Sequence, residues 1–89
     1  MGEIMVDDDV LSFIMGSERR QDVLLALSQK KMTVPQFSNE FNLSPTGLYR
    51  TFNELNKKGL ITHNNVSRHR IYSITDKGIE LLKYIGVIK

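Results

Sequence analysis

Arg50 and Asn53 stand three residues apart in the stretch SPTGLYRTFNELNKK, Ser44 to Lys58. Thr46, Gly47, Tyr49 and Lys57 share their side if the stretch is helical, because Leu48, Phe52 and Leu55 fall at i, i+4, i+7 and claim the opposite side. The outward set is short, polar and aromatic near its start and positive further on. Guanidinium, carboxamide and hydroxyl groups at helical spacing make hydrogen bonds and ion pairs; they suit the base edges and phosphates of a nucleic acid better than a protein core. Among the outward residues Glu54 is the only acid.

Other chemistries find little support. There is no cysteine, which excludes disulfides, zinc–thiolate sites and thiol nucleophiles. His63 and His69 make an incomplete ligand set on a short hairpin, so no metal is expected. Asp7, Asp8 and Asp9 diverge around a helix and fit solvated first-turn acids better than a metal site. No phosphate loop, nucleophile elbow or carboxylate pair with a nearby histidine occurs, so neither an enzyme nor a bound cofactor is expected.

Charge is uneven along the 89 residues, whose net is +2. Residues 1–22 hold six acids against Arg19 and Arg20, a balance of −4, while residues 23–89 hold ten Lys or Arg against four acids, a balance of +6. A basic C-terminal two-thirds tolerates a polyanion, though a lysine-rich solvated surface accounts for it as well. No apolar run approaches the roughly 20 residues of a membrane span, and MGEIMVDDDV lacks a secretory leader pattern. A cytoplasmic setting is expected.

The elements that must position these residues can be read in order. Residues 1–5 read as loose. An aspartate among positions 7–9 can cap a helix to about Met15, with Val10, Leu11, Phe13 and Ile14 apolar, and Gly16 ends it. Ser17 caps a second helix to about Lys30, buried through Val23, Leu24 and Leu27; Arg19 and Arg20 suit surface pairing to Asp22 or the first helix more than a phosphate. Met32 can make a one- or two-residue strand. Thr33 with Gln36 forms a capping box for a third helix, Val34 to Phe41, whose inner face is Val34, Phe37 and Phe41. Asn42 and Leu43 turn the chain, with Asn42 left-handed and Leu43 buried. Ser44 then caps the fourth helix, Pro45 takes its first position, and Gly59 ends it.

After Gly59 the period changes. Leu60 to Thr62 reads as a strand, 63–67 as a turn, and Arg68 to Ile74 as a second strand with Arg70, Tyr72 and Ile74 on one side and Ile74 inside. Thr75 caps a last helix, Asp76 to about Ile85, with Ile79, Leu82 and Ile85 inward; Gly78 is tolerable in its first turn. One α+β, mainly α domain is expected over 1–89, with its core at about 10–85 and a two-stranded hairpin.

Helix, turn of about three residues, helix is the helix-turn-helix spacing. With a hairpin and a last helix added, the chain resembles the archaeal and bacterial winged-helix transcriptional regulators of the broad multiple-antibiotic-resistance, phenolic-acid-regulator and arsenical-resistance types. The matching runs are SERRQDVLLAL, FSNEFNLSPTGLYRTFNELNKKGLI and RHRIYSIT into DKG. Leu55, Gly59, Leu60 and Ile61 match the segment that closes the recognition helix and enters the wing, and Thr75 and Gly78 match the start of the final helix. The resemblance implies a winged helix-turn-helix that places Ser44–Lys58 in the major groove of double-stranded DNA. Thr46 and Tyr49 would then meet polar or thymine-methyl groups, Arg50 a guanine and Asn53 an adenine, with Gly47 letting the backbone come close and Ser44 beside them in the DNA-binding set. Lys57 and Lys58 would meet phosphate or solvent. Asn65, Ser67, Arg68 and Arg70, on a wing at 62–71, would follow the backbone or minor groove.

So small a module reads few base pairs, so a homodimer on a pseudo-palindrome is expected, joined through the first and last helices by Leu81, Tyr84, Ile88 and the outer sides of Leu11 and Ile14, residues that could equally fill the core of the monomer. The alternative is a winged-helix protein–protein interaction module of a transcription or replication complex.

Overall fold

The computed structural model describes residues 8–87. The expected loose start at 1–5, the candidate cap Asp7 and the candidate interface residue Ile88 lie outside the described residues. The elements run α1 (Asp8–Met15), α2 (Glu18–Gln29), α3 (Val34–Phe41), α4 (Leu48–Lys57), β1 (Ile61–Val66), β2 (His69–Ile74) and α5 (Asp76–Tyr84). None of these helices is long and apolar enough to cross a membrane.

Side-chain caps fix three helix starts where the sequence marks them. The Ser17 hydroxyl accepts from the Arg20 amide at 3.3 Å, and that of Thr75 from the Gly78 amide at 3.1 Å. At α3 the capping box closes both ways: Gln36 N–H donates to the Thr33 hydroxyl at 3.2 Å, and Thr33 N–H to the Gln36 carboxamide at 2.7 Å. Asp8 and Asp9 lie within the first turn of α1, where their charge suits the helix dipole. Asn42 ends α3 at φ 55°, left-handed as expected.

The core gathers around α2, which touches α1, α4, α5 and β2. Val23 and Leu24 of α2, Phe37 of α3, Phe52 and Leu55 of α4, and Leu82 of α5 are all fully buried. Four rings run through it: Phe41 stacks on Phe37 at 4.2 Å, Phe37 meets Phe52 at 5.7 Å, and Phe52 meets Tyr72 at 4.9 Å. Met32 pairs with Tyr72 through backbone bonds of 3.1 and 2.9 Å, the short strand its position suggests.

Four expectations need correction. The fourth helix begins at Leu48, not at Pro45. Ser44, Pro45, Thr46 and Gly47 form a turn, in which the Ser44 hydroxyl accepts from the Thr46 amide at 3.3 Å and Leu48 N–H donates to the Pro45 carbonyl at 3.0 Å. The bonded turn runs from Pro45 to Leu48, with Gly47 at its third place at φ 89°, where a type II turn needs a residue that accepts positive φ. Phe41 is 41% exposed rather than inside; Ser38 takes the buried place, its hydroxyl donating to the Leu43 carbonyl, and Leu43 is only half-buried. The hairpin loop has two residues, not five to seven. Strands pair from Ile61↔Ile74 to Val66↔His69, and Ser67 and Arg68 sit at φ 48° and 71°. Positive φ at both places is a type I′ turn, whose twist matches that of the strands. Finally, α5 is turned by about one residue: Leu81 is buried with Leu82, while Ile79 and Ile74 are only half-buried.

Gly78 accounts for that turn. A Cβ there would lie 2.4 Å from the Leu60 carbonyl oxygen and 2.6 Å from Ile74 Cγ1. The helix therefore seats its backbone on the end of β1, and the inward stripe becomes Gly78, Leu81, Leu82 and Ile85. Gly78→Ala should lower stability by about 1–3 kcal/mol, despite alanine's better helix propensity, because backbone must shift to admit the methyl. Chemical denaturation of the two proteins checks this; an equally stable or more stable variant would show that the contact yields without cost.

Candidate nucleic-acid interface

Burial of Leu48, Phe52 and Leu55, each at most 1% exposed, sets the rotation of α4 about its axis. Tyr49, Arg50, Asn53 and Lys57 are consequently exposed. Tyr49 is 53% exposed, so its ring is not consumed by packing on the turn. Thr46 and Gly47 are exposed too, but they precede the helix instead of forming its first turn. Gly47 occupies the cap position at φ 89°, and no side chain caps this helix. Leu48 N–H is taken by the Pro45 carbonyl, and the Tyr49 and Arg50 amides of the first turn are left to water or to an acceptor from outside. Ser44 is exposed, with its hydroxyl committed to its own turn.

At the far end Gly59, at φ 77°, closes a Schellman motif: its N–H donates to the Asn56 carbonyl at 3.0 Å and that of Leu60 to the Leu55 carbonyl at 3.1 Å. Lys57 is exposed. Lys58 behaves differently, with Nζ 5.3 Å from the centre of the Phe13 ring.

The hairpin carries the other set. Asn65 and Arg70 are paired across the strands, and Ser67 and Arg68 form the tip; all four are exposed. A cleft of about 270 Å³ brings the two sets together, with Tyr49 on one side, Arg68, His69 and Arg70 on the other, and Thr33, Val34, Pro35 and Tyr72 as its floor and end. In the sequence Thr33 reads as a helix cap and His69 as half of an incomplete metal-ligand pair, and neither they nor Pro35 read as lining a cleft. They come together because the start of α3 lies against β2, a tertiary pairing that the sequence does not reveal. His63 lies inward, 5.5 Å from the Tyr72 ring, with Nδ1 3.4 Å from the Asn56 carboxamide oxygen.

Of the two partners expected for Arg20, Asp22 and the first helix, the structure selects the first helix and adds Glu54. Arg20 Nη2 donates to Glu54 Oε1 at 3.2 Å and its Nη1 to the Phe13 carbonyl at 2.8 Å. Arg50 Nε lies 3.5 Å from the other Glu54 oxygen. The i,i+4 spacing of Arg50 and Glu54 is visible in the sequence; the long-range contact from Arg20 is not. Among the described residues no cluster of three or more His, Cys, Asp or Glu could hold a metal ion.

No protein-family model matches the chain, and no curated protein matches its sequence. Solved structures do match. The transcriptional regulator BldR from Sulfolobus solfataricus aligns at TM-score 0.75 and 22% identity, over 91% of this chain and 61% of that one. The reduced form of the transcriptional regulator YodB from B. subtilis aligns at 0.76 and 16%, over 91% and 85%. A mutant of Lactococcus lactis ZitR in complex with DNA aligns at 0.72 and 17%, over 98% and 57%. The fold is a winged helix. The chain spans 51% of one ZitR chain and 61% of BldR, so it corresponds to little more than half of those proteins.

The type I′ tip is occupied by two residues that tolerate positive φ poorly, and asparagine is better suited to the first of them. Ser67→Asn should therefore stabilise the fold by about 0.3–1 kcal/mol without altering charge. A rise in thermal midpoint is the readout, and a fall would mean that Ser67 makes a contact worth more than the backbone strain.

Proposed function

We propose that this chain is a sequence-specific double-stranded DNA-binding transcription regulator, with α4 in the major groove and the hairpin on the backbone or minor groove. The observation that carries the reading is the rotation of α4. Its apolar stripe is wholly buried, which leaves Tyr49, Arg50, Asn53 and Lys57 outward, and the arginines of the hairpin border the same cleft as Tyr49. A groove-reading helix flanked by cations needs that arrangement, since base contacts specify and phosphate contacts position. The winged-helix fold shared with the transcriptional regulators BldR and YodB, and with a ZitR solved on DNA, supports it.

Within this reading Arg50 addresses a guanine, Asn53 an adenine, and Thr46 and Tyr49 polar or methyl groups, while Gly47 and Ser44 bring the turn close to the strand. Lys57, Asn65, Ser67, Arg68 and Arg70 supply backbone contacts. The activity is binding alone, without bond-making or a cofactor, in the cytoplasm. A two-fold dimer through α1 and α5 would double the sequence read. Leu81 and Ile14, expected at that interface, are 1% and 0% exposed and belong to the monomer core. Tyr84 and Met15, each 56% exposed, and Val87 at 42%, with the half-buried Leu11, are the apolar groups left for it.

Two substitutions test the division of labour on duplex selected from a random pool. Arg50→Ala should cost about 1–3 kcal/mol at one base position and relax preference there. Arg68→Ala should weaken binding to all duplexes alike and flatten the salt dependence by about one unit of slope. Binding that is insensitive to both changes, or flat with salt, would point to a protein partner instead of DNA. Tyr84→Asp should weaken self-association at least about tenfold in sedimentation, as loss of a buried aromatic anchor does; a monomeric wild type would remove the dimer.

A further inference from the structure

Glu54 is an acid on a face otherwise suited to a polyanion, and its two oxygens are used in opposite directions. Oε1 accepts from Arg20 Nη2 at 3.2 Å, and Oε2 lies 3.5 Å from Arg50 Nε. Arg20 is fixed from behind. Its Nη1 donates to the Phe13 carbonyl of α1 at 2.8 Å, and its guanidinium carbon stands 3.9 Å over the Phe13 ring. Side-chain exposure rises along the chain of contacts, from 25% at Arg20 through 32% at Glu54 to 85% at Arg50.

An exposed i,i+4 ion pair alone restrains a long side chain weakly. Here the carboxylate is held by a second, partly buried guanidinium before it meets Arg50, so one partner of the exposed pair is already ordered. We propose that Glu54 is a positioning residue for Arg50, and that Arg20, braced on α1, fixes Glu54. The pair engages Arg50 through Nε and so leaves the Nη groups for the parallel donation that a guanine edge requires. The inference rests on the reading of α4 as the groove helix. It adds that base discrimination by Arg50 is set partly at the α1–α2 junction, away from the DNA.

The two effects of Glu54 have opposite signs, which separates positioning from mere stability. Its charge repels phosphates; its geometry orders the base reader. Full-length wild type, Arg50→Ala, Glu54→Gln and Arg20→Lys are compared on a selected duplex, its single-base variants and random duplex, with thermal melts alongside. Arg50→Ala identifies the base position concerned. Glu54→Gln should cut discrimination at that position about three- to tenfold while leaving affinity for random duplex equal or up to about threefold higher. Arg20→Lys keeps the charge but cannot fork between two acceptors, and should reduce discrimination in the same sense with unchanged random-duplex affinity. If Arg50→Ala relaxes the preference and neither other variant does, the positioning role is wrong and the groove reading stands. Selective and random affinity falling together, in step with the melting temperature, would make Glu54 a structural residue and overturn the proposal. If Arg50→Ala itself changes no preference, the groove reading falls and takes this inference with it.

Discussion

The burial of Phe52 is the constraint from which the rest of the architecture follows. Its ring is fully enclosed, between Phe37 of the preceding helix and Tyr72 of the hairpin. One side chain thus registers three elements against each other. Removing a buried phenylalanine ring typically costs about 3–5 kcal/mol, a large share of the stability of a domain this size. With Leu48 and Leu55 it leaves α4 a single rotational setting, so the identity of the outward residues is a consequence of what the core accepts. The polar face need not be specified separately.

The hairpin is tied to that helix at its other end. Thr75 N–H donates to the Leu60 carbonyl at 3.0 Å, the Thr75 hydroxyl donates to the Gly59 carbonyl at 2.7 Å, and Lys77 Nζ donates to the Lys58 carbonyl at 3.1 Å. The exit of α4, the return of β2 and the start of α5 therefore meet at one corner. Gly78 permits the close seating there, since any larger residue would collide with the Leu60 carbonyl. Beyond this corner only the proximal half of the hairpin is packed: Ile61 and Tyr72 are buried, whereas Asn65 to Arg70 are exposed. The base of the hairpin is rigidly placed and its tip projects, which suits a part that must follow an external surface.

Much of this was legible because local rules carried it. Ser17, Thr33 with Gln36, Thr75 and Gly59 each satisfy backbone groups within a few residues of themselves, so their effect does not depend on distant chain. The inner stripe of α4 was equally plain from its period. The failures share a cause. Ser44-Pro45 satisfies the helix-start rule, while Pro45-Thr46-Gly47-Leu48 satisfies the turn rule, and Gly47 at φ 89° shows that the turn forms. Phe41 belongs by period to the inner face of α3, yet that helix ends there and Ser38 closes the turn from inside. Leu81 reads as surplus until the Gly78 contact rotates α5 inward. The tight hairpin loop was hidden because Ser-Arg is not the usual occupant of a type I′ turn. In the candidate interface, residue types and sidedness were readable, whereas the union of Tyr49 with the hairpin arginines, and the tie from Arg20 to Glu54, depended on long-range pairing.

Geometry also limits what one copy could read. A helix of ten residues is about 15 Å long, so along a duplex with a rise of about 3.4 Å it lies against only four or five base pairs. Four outward side chains on it, with the turn before it, cannot address more than that many base edges. A site so short recurs by chance far too often to mark one place in a genome, and a hairpin laid on the backbone would add affinity without much sequence information. Either specificity is low or a second copy must extend the site. The apolar side chains left exposed at the ends of α1 and α5 are Met15, Tyr84 and Val87, none of which lines the cleft that joins Tyr49 to the hairpin. Pairing through these side chains would leave the residues that line that cleft uncovered, as a two-fold dimer reading successive turns of one groove requires. The same α1 carries the Phe13 carbonyl that holds Arg20. Val10 and Ile14 fix that helix in the core, so the brace on Arg20 is tied to the same packing that sets the rotation of α4.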